Sequence, residues 1–179
     1  MTVFEIVLLV ITALAGLSIV WSTLMVGISP MPSSKKARSA MLQLSAETGV
    51  EHSPIFELGS GWGSLIIPLA KQYPQRQIVG YELSILPWLT TIVLIKMLAL
   101  KNVRVYRQNY LKADLTGASV IVCYLYPGGM NALEGKLKLE HGTLEYLISN
   151  NFSLSSHNPI KTIQLDDLYQ SPVYLYKFK

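Results

Sequence analysis

The sequence predicts an α/β domain, a seven-stranded sheet that closes in an antiparallel hairpin, preceded by a single transmembrane helix. Three observations predict it. Short apolar runs alternate with longer helical ones along most of the chain, a glycine-rich turn follows the first such run at Gly59 to Gly63, and residues 6–28 carry no charge. At 179 residues the chain is long enough for one α/β domain with its own core.

The amino terminus comes first. Ile6 to Ile28 are 23 residues without a charged side chain. As a helix rising about 1.5 Å per residue they would cover roughly 34 Å, enough for a hydrocarbon core near 30 Å. Pro30 and Pro32 end the run, Lys35, Lys36 and Arg38 follow it, and no Lys or Arg precedes it. The positive-inside rule then puts the rest of the chain on the cytoplasmic side, or in the equivalent compartment of an organelle. A cleaved signal peptide would show a basic n-region and a shorter apolar core, and neither is present. Residues 1–30 are thus expected to anchor, and 31–179 to form the catalytic domain. Ser33 to Thr48 predicts an amphipathic helix with a Ser33/Ser34 cap, ending by Gly49.

Composition excludes several functions. Half of the residues are apolar and 15% are charged, an excess that the first thirty residues largely explain. A net charge of +4, with no basic run and no basic-aromatic interleaving, gives no nucleic-acid signal. One cysteine, Cys123, and three scattered histidines, His52, His141 and His157, give neither a disulfide framework nor metal-ligand spacing.

The chemistry centres on Pro54 to Ser64, an apolar strand entering a turn with glycines at 59, 61 and 63. Such glycines let the backbone adopt φ > 0 and approach a ligand closely. A dinucleotide fingerprint would read Gly-x-Gly-x-x-Gly. Here the third glycine comes one residue early, Ser64 holds the place a dinucleotide fold gives to glycine, and Glu57 precedes the loop. Ser64 to Tyr73 continue as a helix carrying apolar Leu65, Ile66, Ile67, Leu69 and Ala70 and ending at Pro74. Gln77 to Glu82 is a second strand, whose terminal carboxylate offers two acceptor oxygens to a vicinal diol.

Ser84 to about Leu100 predicts a helix that is apolar nearly all round, with Thr90, Thr91 and Lys96 its only polar residues past the cap. Such a helix is covered on both sides or touches lipid. Its outer face is expected on the membrane, on the transmembrane helix, on an apolar partner, or beneath another helix. Asn102 to Arg107 is a third strand with Asn109 just past its end. Ser119 to Leu125 reads as a central strand buried on both faces. It ends at Tyr126-Pro127-Gly128-Gly129, at the carboxyl edge where open α/β sheets bind ligands. A helix to about Glu140, a strand Thr143 to Ser149, and a hairpin of Ile160 to Leu165 with Val173 to Phe178 complete the set, and the last strand is expected antiparallel beside Thr143 to Ser149.

The Glu57-Leu-Gly-Ser-Gly-Trp-Gly-Ser loop followed by Tyr81-Glu82-Leu resembles motif I and the ribose acid of the Rossmann-like class I S-adenosylmethionine-dependent methyltransferases. The apolar amino terminus, its proline junction with Ser33-Ser34, Pro87-Trp88-Leu89 and Asn151-Phe152 resemble one group among them. These are the small membrane-anchored protein-lysine methyltransferases of the mitochondrial inner membrane, which act on proteins such as the ATP synthase c subunit and the adenine nucleotide carrier, and their bacterial relatives. The resemblance covers nearly the whole chain.

It implies that S-adenosylmethionine lies against Glu57, Gly59, Ser60, Gly61 and Gly63, that Glu82 holds the ribose, and that Asn109 takes the place of an Asp that accepts from adenine. The helix after the anchor is expected to pack in front of the sheet or, as the resemblance implies, to cover the cofactor. Tyr126 and Pro127, with Tyr124, are expected to line the acceptor pocket. The Asp/Asn-Pro-Pro-Tyr/Phe motif of DNA-base and glutamine methylation is absent. The expected acceptor is a protein lysine in or at the membrane. The alternatives are a membrane-dissolved quinone or lipid, or a membrane-anchored module that binds an adenosyl ligand without catalysis. No catalytic base is assigned from the sequence.

Overall fold

The computed structural model describes residues 2–26, 33–51, 53–140 and 142–178. Its centre is a seven-stranded sheet in the order β3-β2-β1-β4-β5-β7-β6. The strands are β1 Ile55–Leu58, β2 Ile78–Glu82, β3 Val103–Arg107, β4 Val120–Cys123, β5 Tyr146–Asn150, β6 Lys161–Gln164 and β7 Pro172–Lys177. Neighbours from β3 to β5 are parallel, whereas β7 is antiparallel to both β5 and β6. The closing hairpin therefore inserts its last strand beside β5, as the sequence predicts. Every residue of β1 and β4 is buried, which is why β4 reads as an unbroken apolar run and β1 as one interrupted only by Glu57.

Helices cover both faces. On one lie α2 Lys35–Glu47, α3 Ile66–Gln72 and α4 Ile85–Met97; on the other lies α5 Pro127–Leu139. The strand and helix ends differ from expectation by a few residues. At β5, which begins at Tyr146, Thr143 stays outside the strand because its hydroxyl donates to the carbonyls of Thr116 and Ala118, at 3.0 and 3.2 Å.

Ser34 caps α2, its hydroxyl accepting from the Ala37 amide at 3.1 Å, and Gly49 follows the helix at φ +65°. Met41 and Leu44 are fully buried, and the main contacts of α2 are with β5 and β7. It is a packing helix over that half of the sheet, which corrects the lid over the cofactor that the resemblance implies.

The amino-terminal helix α1 spans Val3–Val26 and touches α4. Apolar side chains described along it, among them Phe4, Leu9 and Leu17, are exposed. Among the described residues no helix is long and apolar enough to cross a membrane, so the span expected over 6–28 is not shown by them. Several side chains of α1 beyond Val10, and residues 27–32, which hold the end of the expected span, lie outside the described residues.

Among the described residues no other helix of the domain covers the outer face of α4. Pro87, Thr91 and Ile95 point inward, while Ile85, Leu89, Val93 and Met97, one residue per turn, are 46%, 44%, 53% and 76% exposed.

Candidate cofactor and acceptor site

From β1 the sheet grows one way to β2 and β3, and from β4 the other way. The adjacent carboxyl ends Leu58 and Cys123 therefore flank the crevice where such sheets take ligands. The glycine loop enters it. Gly59, Gly61 and Gly63 have φ of +79°, +52° and +79°, the left-handed region that disfavours any side chain. A Cβ at Gly61 would meet nothing within 4 Å, so that residue borders open space and the backbone alone demands glycine. Hydrogen bonds fix the loop to β2 and α4. The Gly59 and Ser60 amides donate to the Tyr81 carbonyl at 2.9 and 3.0 Å. The Thr91 hydroxyl donates to the Gly61 carbonyl at 2.9 Å.

Glu82, at the end of β2, spans the loop and the start of α4. Its Oε2 accepts from the Gly61 amide at 2.8 Å and its Oε1 from the Ser84 amide at 2.7 Å. Each carboxylate oxygen keeps further acceptor capacity, so the fixed carboxylate can still receive two hydroxyls of a diol. Glu57, on β1, is 5% exposed and accepts from the Ile66 amide at the start of α3. Its Oε2 is buried without a hydrogen-bond partner. Burial first, and then the like charge of Glu82, push the Glu57 carboxyl well above its ordinary range. A buried acceptor with no partner is costly, and a cationic N–H donor such as the α-ammonium of S-adenosylmethionine suits it. The glycine loop, the spare acceptors of Glu82 and the orphaned oxygen of Glu57 together fit that cofactor.

Asn109 reaches the same edge, since the neighbouring Gln108 amide donates to the Glu82 carbonyl at 3.1 Å. Its Oδ1 accepts from the Leu111 amide at 2.9 Å, capping the 3-10 turn Tyr110–Lys112. Part of the oxygen expected to receive the adenine amino group is therefore taken up by a cap. Tyr126 and Pro127 form the amino end of α5, as N-cap and first residue. A Cβ at Gly128 or Gly129 would lie 2.6 or 3.2 Å from the Tyr126 ring, so this glycine pair makes room for it. Tyr124 stacks on Phe152 with ring centroids 6.5 Å apart. Cys123, fully buried below, has its thiol pushed up to about 12 by burial.

Residues 57–161 match the family described as the ANTKMT methyltransferase domain. The chain belongs to this family. It is a methyltransferase that uses S-adenosylmethionine. A protein-lysine N-methyltransferase of Saccharolobus islandicus is 25% identical over 150 residues, which cover 82% of this chain and 91% of the relative. Two solved structures share the fold. One is an RNA methyltransferase from Salinibacter ruber in complex with S-adenosyl-L-homocysteine, with a TM-score of 0.69 and 24% identity over 82% of this chain and 93% of that one. The other is magnesium protoporphyrin IX methyltransferase from Synechocystis with bound S-adenosylmethionine, with a TM-score of 0.63 and 15% identity over 80% of this chain and 78% of that one.

The methyltransferase also uses residues that the sequence reading passes over. A Cβ on Gly80, inside β2, would lie 2.4 Å from Ser60 Oγ and 2.5 Å from Ile66 Cδ1, both on fully packed residues. A glycine in a strand interior is the available signal. Thr91, fully buried, ties α4 to the loop; a polar residue facing inward from an apolar helix would have flagged it. Tyr110 donates to the Gly129 carbonyl at 3.3 Å and joins the 3-10 turn to α5. Among the described residues no group of three or more His, Cys, Asp or Glu could hold a metal ion, and His52 and His141 lie outside those residues.

Proposed function

We propose that this methyltransferase modifies a lysine side chain of a protein at a membrane surface. The observation that carries the acceptor is the likeness to the Saccharolobus protein-lysine N-methyltransferase along 82% of the chain. The absence of the Asp/Asn-Pro-Pro-Tyr/Phe motif after β4 agrees with it, since Tyr126-Pro127-Gly128-Gly129 stands there.

When bound, the cofactor supplies a methyl group made electrophilic by its sulfonium. The chain's own residues do the positioning. Glu82 would receive the ribose hydroxyls, the backbone of Gly59 to Gly63 would border the ligand, and Glu57 would offer its free Oε2 to the amino end. Tyr126, Pro127 and Tyr124 line the approach of the acceptor. A lysine amine, which ordinarily titrates near pH ~10.4, must shed its proton before it can attack. The Tyr110 hydroxyl is raised by burial and stays protonated, so it serves as a hydrogen-bond donor rather than as the base. Water at the site mouth takes the proton in this reading.

The membrane placement rests on the uncharged stretch from Ile6 to Ile28, on the exposed apolar side chains of α1, and on Lys35, Lys36 and Arg38 behind it. In this reading α1 anchors the chain and the catalytic domain sits on the cytoplasmic side. Incubating membranes with the enzyme and methyl-labelled cofactor tests the acceptor. The label is expected in protein. Label that extracts with lipid would replace the lysine by a membrane-dissolved small molecule.

A further inference from the structure

We propose that the outer face of α4, together with the edge strand β3, rests on an anionic lipid surface. Ile85, Leu89, Val93 and Met97 form an exposed stripe along the whole helix, at one residue per turn. A protein surface rarely leaves four large apolar side chains in a row in water. Charge identifies the occupant. Between Glu82 and Asp114 the chain carries five of its fifteen cations and none of its eleven carboxylates. All five, Lys96, Lys101, Arg104, Arg107 and Lys112, are exposed. Three of them border the stripe: Lys96 lies on the striped side, three residues past Val93, Lys101 follows the helix end, and Arg107 ends β3, the edge strand of the sheet, whereas Arg104 alternates to the opposite sheet face and Lys112 lies on the 3-10 turn that packs on α5.

An apolar stripe bordered by Lys96, Lys101 and Arg107, in a segment with no carboxylate between Glu82 and Asp114, is the pattern of a helix lying in an anionic headgroup layer. A protein partner of ordinary mixed charge would leave this one-signed rim unanswered. The face is also continuous with α1, which touches α4. Its upper end, Leu83 and Ile85, follows directly on Glu82, so a bilayer against it would lie beside the cofactor edge. An acceptor lysine at the lipid–water boundary would then be close to the crevice. The inference rests on the reading of α1 as an anchor, because that helix brings the face to the bilayer.

The test uses the full chain and vesicles of phosphatidylcholine with phosphatidylglycerol. A polarity-sensitive fluorophore is placed at Val93→Cys, with Leu89→Cys as a second site and Lys138→Cys on α5 as the control. The native Cys123 is fully buried and stays unlabelled. Labels at 93 and 89 are expected to shift to the blue on vesicle addition and to be quenched by nitroxide lipid, while the label at 138 stays water-like. Each cation near an anionic surface strengthens attachment about five-fold. Lys96→Gln with Lys101→Gln should therefore weaken the response of position 93, as should vesicles without phosphatidylglycerol.

A chain that pellets with vesicles while 93 and 89 remain water-like would overturn the inference and leave the anchor standing. A chain that stays in the supernatant would sink both. Blue-shifted emission before any lipid is added would show that α1 or a second copy already covers the stripe, which also overturns it.

Discussion

Glu57 and Glu82 stand on adjacent strands with opposite costs. Both oxygens of Glu82 are held by backbone amides, so its charge is answered before any ligand arrives. Glu82→Ala should weaken binding of S-adenosylmethionine, with each lost charge-assisted hydrogen bond costing about 1.5–3 kcal/mol. Calorimetric titration measures this, and an unchanged Kd would remove Glu82 from the site.

Glu57 carries an unanswered oxygen and a raised pKa caused by burial and then by Glu82. Its contribution to folding is therefore complete below the ordinary carboxyl value of 4.5 and declines as pH rises toward the elevated folded value. Glu57→Gln should raise the Tm of the ligand-free protein at neutral pH, with a gain that vanishes below pH 4.5, while lowering cofactor affinity. Equal Tm values across that range would mean that the carboxyl is not strained. Both glutamates were legible in the sequence because strand ends and glycine spacing mark them. Thr91 and Gly80 were not, because their partners lie on other elements and only the folded chain brings them together.

At the level of elements, the glycine loop depends on how closely it packs over β2. Gly80→Ala forces a methyl group against Ser60 and Ile66, neither of which has room to yield. A cost of about 1–3 kcal/mol is expected from denaturant unfolding, with reduced cofactor binding as the loop lifts. Wild-type stability in that variant would show that the contact can relax.

On the opposite face, Glu134 of α5 pins the segment after β5. Burial acts against its charge, but hydrogen bonds from the Ser156 hydroxyl, His157 and the Ser156 and Ser155 amides outweigh that and hold the carboxyl at about 2. A lowered folded pKa means that the clamp is fully present above the ordinary value of 4.5 and is lost as pH falls toward 2. Glu134→Gln should flatten the decline of Tm over that acid range, and an unaltered profile would contradict the clamp. The strands of the sheet were readable as apolar runs between turn residues. The Glu134 clamp was not, since no local pattern ties a helix residue to a loop more than twenty positions away.

For the whole molecule, alternating strands and helices and the final hairpin suffice to predict a sheet whose last strand inserts beside β5. The relation of α1 to α4 was beyond the sequence. Both helices are apolar on nearly every side, and such a pattern does not distinguish a lipid contact from a helix contact. The architecture sets a methyltransferase crevice at the carboxyl edge of the sheet, next to an apolar, cationic flank.

The central claim is methyl transfer to protein lysine, and total hydrolysis of labelled acceptor tests it most directly. Membranes incubated with the wild-type enzyme and methyl-labelled S-adenosylmethionine should yield the label as methylated lysine, and Glu82→Ala should reduce the yield. Label absent from lysine, with none incorporated or all of it in lipid or in another amino acid, would contradict the account.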